Sequence, residues 1–140
     1  VPGVSFFSLQ VMRDDMPKTL QAVPDGVTDL APHLTDFADT AAAIDCLDLI
    51  ISVDTAVAHL AGAQAKPVWN MVPMTPDWRW DLERDDCPWY PTMRLYRQDA
   101  FGDWAGVIAR VAADLSDFKT ANVGGGKTPR GFTRLLPWKR

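Results

Sequence analysis

A chain of 140 residues with a hydrophobic content of 47% suits one domain built around one core. All 18 acidic residues but only 8 of the 14 basic ones lie in residues 1–118, so that segment carries −10 and residues 119–140 carry +6. The acidic body argues against non-specific nucleic-acid binding, and no apolar run approaches the ~20 residues that cross a bilayer.

The start, Val1-Pro2-Gly3, has no basic-then-apolar leader, which makes the cytoplasm the expected location; the lack of an initiator Met points to a fragment or a processed start. Val4–Val11 is rich in β-branched and aromatic residues and reads as a first strand, with Gln10 at its end as an amide that can both donate and accept. Met12–Thr19 is polar and reads as a loop, and Val27–Leu30 is a short second strand. His33 follows in a loop and is expected to be solvated. Asp36–Leu47 is helical, capped by Thr35 or Asp36, with Phe37, Ala41, Ile44 and Leu47 on one face. Cys46 is expected in the core; it and Cys87 are too far apart in sequence to match a metal-ligand spacing, and no metal or cofactor is expected.

Leu49–Val53 is a short apolar run, the mark of a parallel strand covered on both faces. Asp54 and Thr55 stop it and open a helix of small residues, Thr55–Gln64. Either side chain suits a helix N-cap, and a helix N-terminus at the carboxyl end of a strand can receive an anion. His59 is the one group on that helix that titrates near neutral pH. Lys66-Pro67 ends the helix and Val68–Val72 is the next strand, although Asn70 and Met71 are unusual there. Short connections in this β-α-β-α-β order imply parallel strands with right-handed crossovers.

Pro73–Pro91 holds four Pro and three Trp after a strand's carboxyl end, where long loops tend to be functional. Trp78, Trp80 and Trp89 either stack a base or a sugar or pack as a satellite core, and Arg79 is either solvated or reaches a phosphate. Met93–Gln98 is a further strand. Asp103 caps a last helix from Trp104 to about Phe118, whose inner face is Trp104, Val107, Ile108, Val111, Ala112 and Leu115. The remainder, 119–140, has no periodicity and is read as a basic, disordered tail. Gly124-Gly125-Gly126-Lys127-Thr128 within it is not a phosphate-binding loop, because position 121 is Ala and Pro129 follows where a helix should begin.

Ser52 to Ala63 followed by Lys66-Pro67-Val68 resembles the donor-site segment of the heptosyltransferase-like glycosyltransferases, and Ser8-Leu9-Gln10 fits as well. Together with Asp77-Trp78-Arg79-Trp80, Pro88-Trp89-Tyr90-Pro91 and Met93–Gln98, the chain is similar to bacterial proteins that carry tetratricopeptide repeats ahead of such a region. These are distant relatives of the protein O-linked N-acetylglucosamine transferases. The resemblance covers about residues 3–118. It implies an α/β, Rossmann-like parallel sheet with helices on both faces, the carboxyl-terminal half of a two-domain GT-B fold, binding a nucleotide-sugar of the UDP-sugar or ADP-heptose type.

Carried over by position, Thr55 and the Ala56 N–H would hold the diphosphate, Asp54 would shape the turn, His59 would face the ribose or phosphates, and Gln10 would reach in from the neighbouring strand. With Trp78 and Arg79 these are the substrate-binding candidates. The sequence departs from the family at Ala56, where Gly is usual, and at Gln64-Ala65-Lys66, where a Leu-Gly-Lys-like turn is expected. Its basic residue near the first strand has only Arg13 and Lys18 as counterparts. No catalytic base is identifiable, so the partner implied is an amino-terminal acceptor domain or a second protomer. The alternative is a truncated, non-catalytic interaction or dimerisation module; another Rossmann-like binder is disfavoured, since no Gly-rich fingerprint follows the first strand.

Overall fold

The structure is a computed structural model and describes residues 1–11 and 22–123. Arg13, Lys18, the Met12–Thr19 loop and the segment from Gly124 onward lie outside the described residues. Among the described residues five strands and three α-helices follow in the order β1 (Phe6–Ser8), β2 (Val27–Asp29), α1 (Phe37–Asp45), β3 (Ile50–Val53), α2 (Ala56–Ala63), β4 (Val68–Val72), β5 (Met93–Arg97) and α3 (Trp104–Val123). The strands pair in parallel, β1 with β2 and, separately, β3 with β4 and β4 with β5. This is the expected α/β, Rossmann-like arrangement, consistent with half of a GT-B fold.

β4 shows why a nearly continuous apolar run was needed in the middle of the sheet. Val68 and Val72 point to a core shared with Ile44 of α1, Ala58 and Ala61 of α2, and Trp80. Trp69 points to the opposite core, with Tyr96 and with Val107, Val111 and Leu115 of α3. Helices therefore cover both faces. Asn70, on the Val68 side by strand alternation, is fully buried and neither amide atom has a protein partner.

Local chemistry sets the helix ends. Asp36 caps α1 by accepting from the Ala38 and Asp39 N–H groups at 2.8 and 2.9 Å. Asp39 reaches back to the Thr35 N–H and hydroxyl, and these bonds hold its carboxyl below the ordinary range. At the other end the Lys66 ammonium donates to the Asp45 carbonyl at 2.6 Å and lies 3.3 Å from the Asp45 carboxylate, so the motif lysine pins the negative end of α1.

The α2 terminus closes with Lys66 N–H to Ala61 O and Ala65 N–H to Gly62 O, the paired bonds of a Schellman ending. This ending puts a left-handed residue at position 65; the residue is Ala, with φ of 55°. A Cβ in that conformation costs about 1 kcal/mol. Ala65→Gly removes that strain but adds glycine's freedom to the unfolded chain, so it is expected to raise the unfolding free energy by only about 0.5 kcal/mol in urea titration. A loss of stability would show that the turn is not strained.

Several faces differ from their sequence reading. Phe37 is 65% exposed, because at the first turn of α1 it lines an open cleft; Thr40, Ala43 and Ile44 are buried instead. Ile108 and Ala112 are exposed, since α3 packs through the narrower Val107–Val111–Leu115 stripe, and Trp104 is partly exposed. α3 also runs on to Val123, beyond the expected Phe118 end. The core thiol is Cys87 rather than the half-buried Cys46. His33 is exposed, as expected. No helix among the described residues is long and apolar enough to cross a membrane.

Candidate functional site

The anion-ready feature of the sequence forms, but with a different detail. β3 ends at Val53, Asp54 makes the turn, and Thr55 is the N-cap of α2 with extended backbone. The Thr55 side chain makes no cap bond. Its hydroxyl lies 3.0 Å from Ser52 Oγ, which itself donates to the Val53 carbonyl at 3.0 Å, so Thr55 is the donor of that pair. The N–H groups of Ala56 and Val57 have no intrahelical partner by helix geometry, and no side chain at the cap covers them. Asp54, Thr55 and Ala56 are all exposed.

This first turn opens onto a cleft of about 1090 Å³ between β1 and β3. Gln10, Ser52, Thr55 and Ala56 line it, together with Thr35 and Phe37 from the start of α1. Gln10 is exposed, and its N–H donates to Ser8 Oγ at 3.3 Å, which turns the chain at the end of β1. The structure thus brings Gln10, Thr55 and Ala56 to one cleft.

His59 belongs to a second, smaller pocket of about 180 Å³ with Trp78, Arg79, Trp89 and Tyr90. Asp54, between Val53 and Thr55 of the cleft wall, holds its carboxylate 3.5 Å from His59 Nε2. The other ring nitrogen, Nδ1, is 3.1 Å from the Tyr90 hydroxyl. In the tautomer with its proton on Nε2, the ring donates toward Asp54 and accepts from the Tyr90 hydroxyl. Beneath the imidazole lies the Trp80 ring, stacked with centroids 5.2 Å apart. Tyr90 can reach His59 only because residue 62 is glycine: a Cβ there would stand 2.5 Å from the Tyr90 ring.

The loop that carries the tryptophans is held by β5. The Arg97 guanidinium donates to the carbonyls of Asp81 at 2.8 Å and Arg84 at 2.7 and 2.9 Å, and also to that of Trp80. Burial pulls its pKa below the ordinary arginine value. Within the loop, Asp77 accepts from the Arg79 N–H at 3.0 Å, and the Trp89 indole N–H donates to the Arg79 carbonyl at 3.3 Å. Of the three tryptophans, Trp80 is core, whereas Trp78 and Trp89 are exposed. Among the described residues no group of His, Cys, Asp and Glu is placed to hold a metal ion.

Residues 10–84 match the profile of glycosyltransferase family 9 (heptosyltransferase). The chain belongs to that family. The match takes in Gln10, Asp54, Thr55, Ala56, His59, Trp78 and Arg79. The chain is also similar to Protein FlbA of Caulobacter vibrioides (strain ATCC 19089 / CIP 103742 / CB 15), 36% identical over 95 residues; these are 68% of this family 9 chain and 15% of that protein's length. No solved structure matches it.

The sequence alone gives Tyr90 and Arg97 no role, whereas Gly62 belongs to the small-residue helix read from it, whose small side chains allow close approach, here by Tyr90. Tyr90 and Arg97 stand in the Pro-Trp-Tyr-Pro and Met93–Gln98 segments of this family 9 chain, so the signal was in view without a role attached.

Proposed function

We propose that this chain is the nucleotide-sugar-binding half of a glycosyltransferase, with the donor's diphosphate at the N-terminus of α2. The observation that carries this is the first turn of α2, uncapped by any side chain and facing a large cleft that Gln10 shares. The free N–H groups and the positive helix end suit a diphosphate, and in transfer they would stabilise the charge that develops as the nucleotide leaves. Thr55 would add a hydroxyl by turning its proton from Ser52 to the phosphate, and His59, beside Asp54 and Tyr90, would meet the phosphates or the ribose beyond. The acceptor and the base that activates it would come from an acceptor domain or a second protomer, in the setting of a longer protein with tetratricopeptide repeats. On this reading the 140-residue chain alone binds donor without turnover.

Calorimetric titration with UDP, ADP and their sugar conjugates tests the reading. Thr55→Val is expected to weaken nucleotide binding by about 1 kcal/mol, roughly fivefold, through one lost hydrogen bond. Its thermal stability should stay near that of the parent, because the hydroxyl caps nothing. Equal affinity in variant and parent would remove Thr55 from the site; no heat from any of these ligands at millimolar concentration would remove the site itself.

A further inference from the structure

The small pocket offers more than an extension of the phosphate site. Trp78 is 73% exposed and Trp89 58%, an unusual amount of indole to leave in water on a loop that is otherwise tied down. Their rings meet edge to face, 6.2 Å apart at 89°. Arg79 stands 5.7 Å over the Trp78 ring and 3.4 Å from the Asp77 carboxylate, yet its Nε is buried with no partner in the protein. The side chain as a whole stays 40% exposed and lines the pocket, so its outer N–H groups can meet the hydroxyls of a ligand. Tyr90 and His59 close the inner wall, each already oriented by the other.

Two aromatic faces at right angles cannot sandwich a flat ring, and one face of Trp78 is already taken by Arg79, which argues against a nucleobase. A pyranose fits: it offers a face of C–H bonds to an indole and an edge of hydroxyls to the guanidinium, phenol and imidazole. We propose that the Trp78–Arg79–Trp89–Tyr90 pocket is a carbohydrate subsite that stacks one sugar ring. This rests on the diphosphate reading for its partner site, since His59 of the small pocket is 3.5 Å from Asp54, which stands between Val53 and Thr55 of the cleft wall. The ring is that of the donor sugar or of a sugar on the acceptor, and the chemistry of recognition is the same for both.

The test follows the indole N–H signals of the nitrogen-15-labelled chain, assigned with Trp78→Phe and Trp89→Phe. The probes are UDP, ADP, their glucose and N-acetylglucosamine conjugates, and the methyl glycosides of the same sugars. Shifts at Trp78 and Trp89 with the conjugates but not with the glycosides support the subsite and assign it to the donor sugar. Shifts with the free glycosides support it and assign it to the acceptor. Trp89→Ala is then expected to weaken the sugar-bearing ligand about tenfold while leaving bare UDP or ADP unchanged. Indoles that move with bare nucleotide as much as with its sugar conjugate overturn the subsite in favour of base stacking. Indoles that move with no probe, while the Ala56 and Val57 amides respond to nucleotide, overturn the subsite and leave the diphosphate reading standing. If neither indoles nor amides respond to any probe, both fail.

Discussion

Arg97→Ala is expected to lower the unfolding free energy by about 3 kcal/mol and to abolish the ordered Trp-rich loop. The guanidinium faces three carbonyls rather than a carboxylate, those of Trp80, Asp81 and Arg84. Each is a backbone acceptor in a loop with no ladder of its own, and hydrogen bonds to a charged donor are among the stronger ones. Its loss frees at once the segment that presents Trp78 and Arg79 on one side and Trp80 on the other. Arg97→Lys keeps the charge but replaces a planar fork by a point, so it should recover less than half of the loss. Urea unfolding measures the effect, and an Arg97→Ala variant within ~0.5 kcal/mol of the parent would show that the loop is held by its aromatic packing instead.

The second large effect is expected at Trp80. It is 1% exposed and packs among Ile44, Val72, Cys87 and Leu95 while carrying the stacked His59 ring. Trp80→Ala leaves a cavity of nearly a whole indole and should cost about 4 kcal/mol. Trp80→Phe keeps an aromatic floor and also sheds an indole N–H that has no protein partner, so its cost should be well under half of that. Denaturant titration separates the two, and the His59 ring signals should move in the alanine variant more than in the phenylalanine one. Equal costs would mean that the volume of the indole, and not the stack, is what the core requires.

The parallel sheet was legible because β3 and β4 are short apolar runs between turn-forming pairs, and Val68–Val72 forms with the bounds read from the sequence. The α2 N-terminus was legible for the same reason: Asp54-Thr55 can only be a turn between such a run and an alanine helix. Faces were harder. Helical periodicity puts Phe37 and Ile108 on apolar stripes, but a stripe is buried only as far as its neighbours reach, and the contacts of α1 and α3 run through Ala43 and Ile44 and through Val107, Val111 and Leu115 instead. The loop was least legible. Nothing in the spacing of Trp78, Trp80 and Trp89 says which one turns inward; that is decided by Arg97, some seventeen residues from Trp80, through carbonyls that no side-chain pattern displays. Lys66 illustrates the converse, a motif residue at the edge of the donor-site resemblance whose contacts are with the end of α1, away from the cleft.

The separation of β1–β2 from β3–β4–β5 has a mechanical meaning. Within each sheet the strands are bonded, but β1 and β3 flank the cleft without a ladder between them. Side chains alone bridge this seam, with Val4 against the Trp69 core and Leu9 against the Ile44 core. Among the described residues, opening along it breaks no strand pairing, so little backbone bonding opposes such a motion. A ligand that touches Gln10 on one lip and Thr55 on the other would do what the backbone does not, and weld the two sheets into one. Such a protein would register its ligand as a loss of breathing across the whole domain, felt as far away as the outer edge of β2.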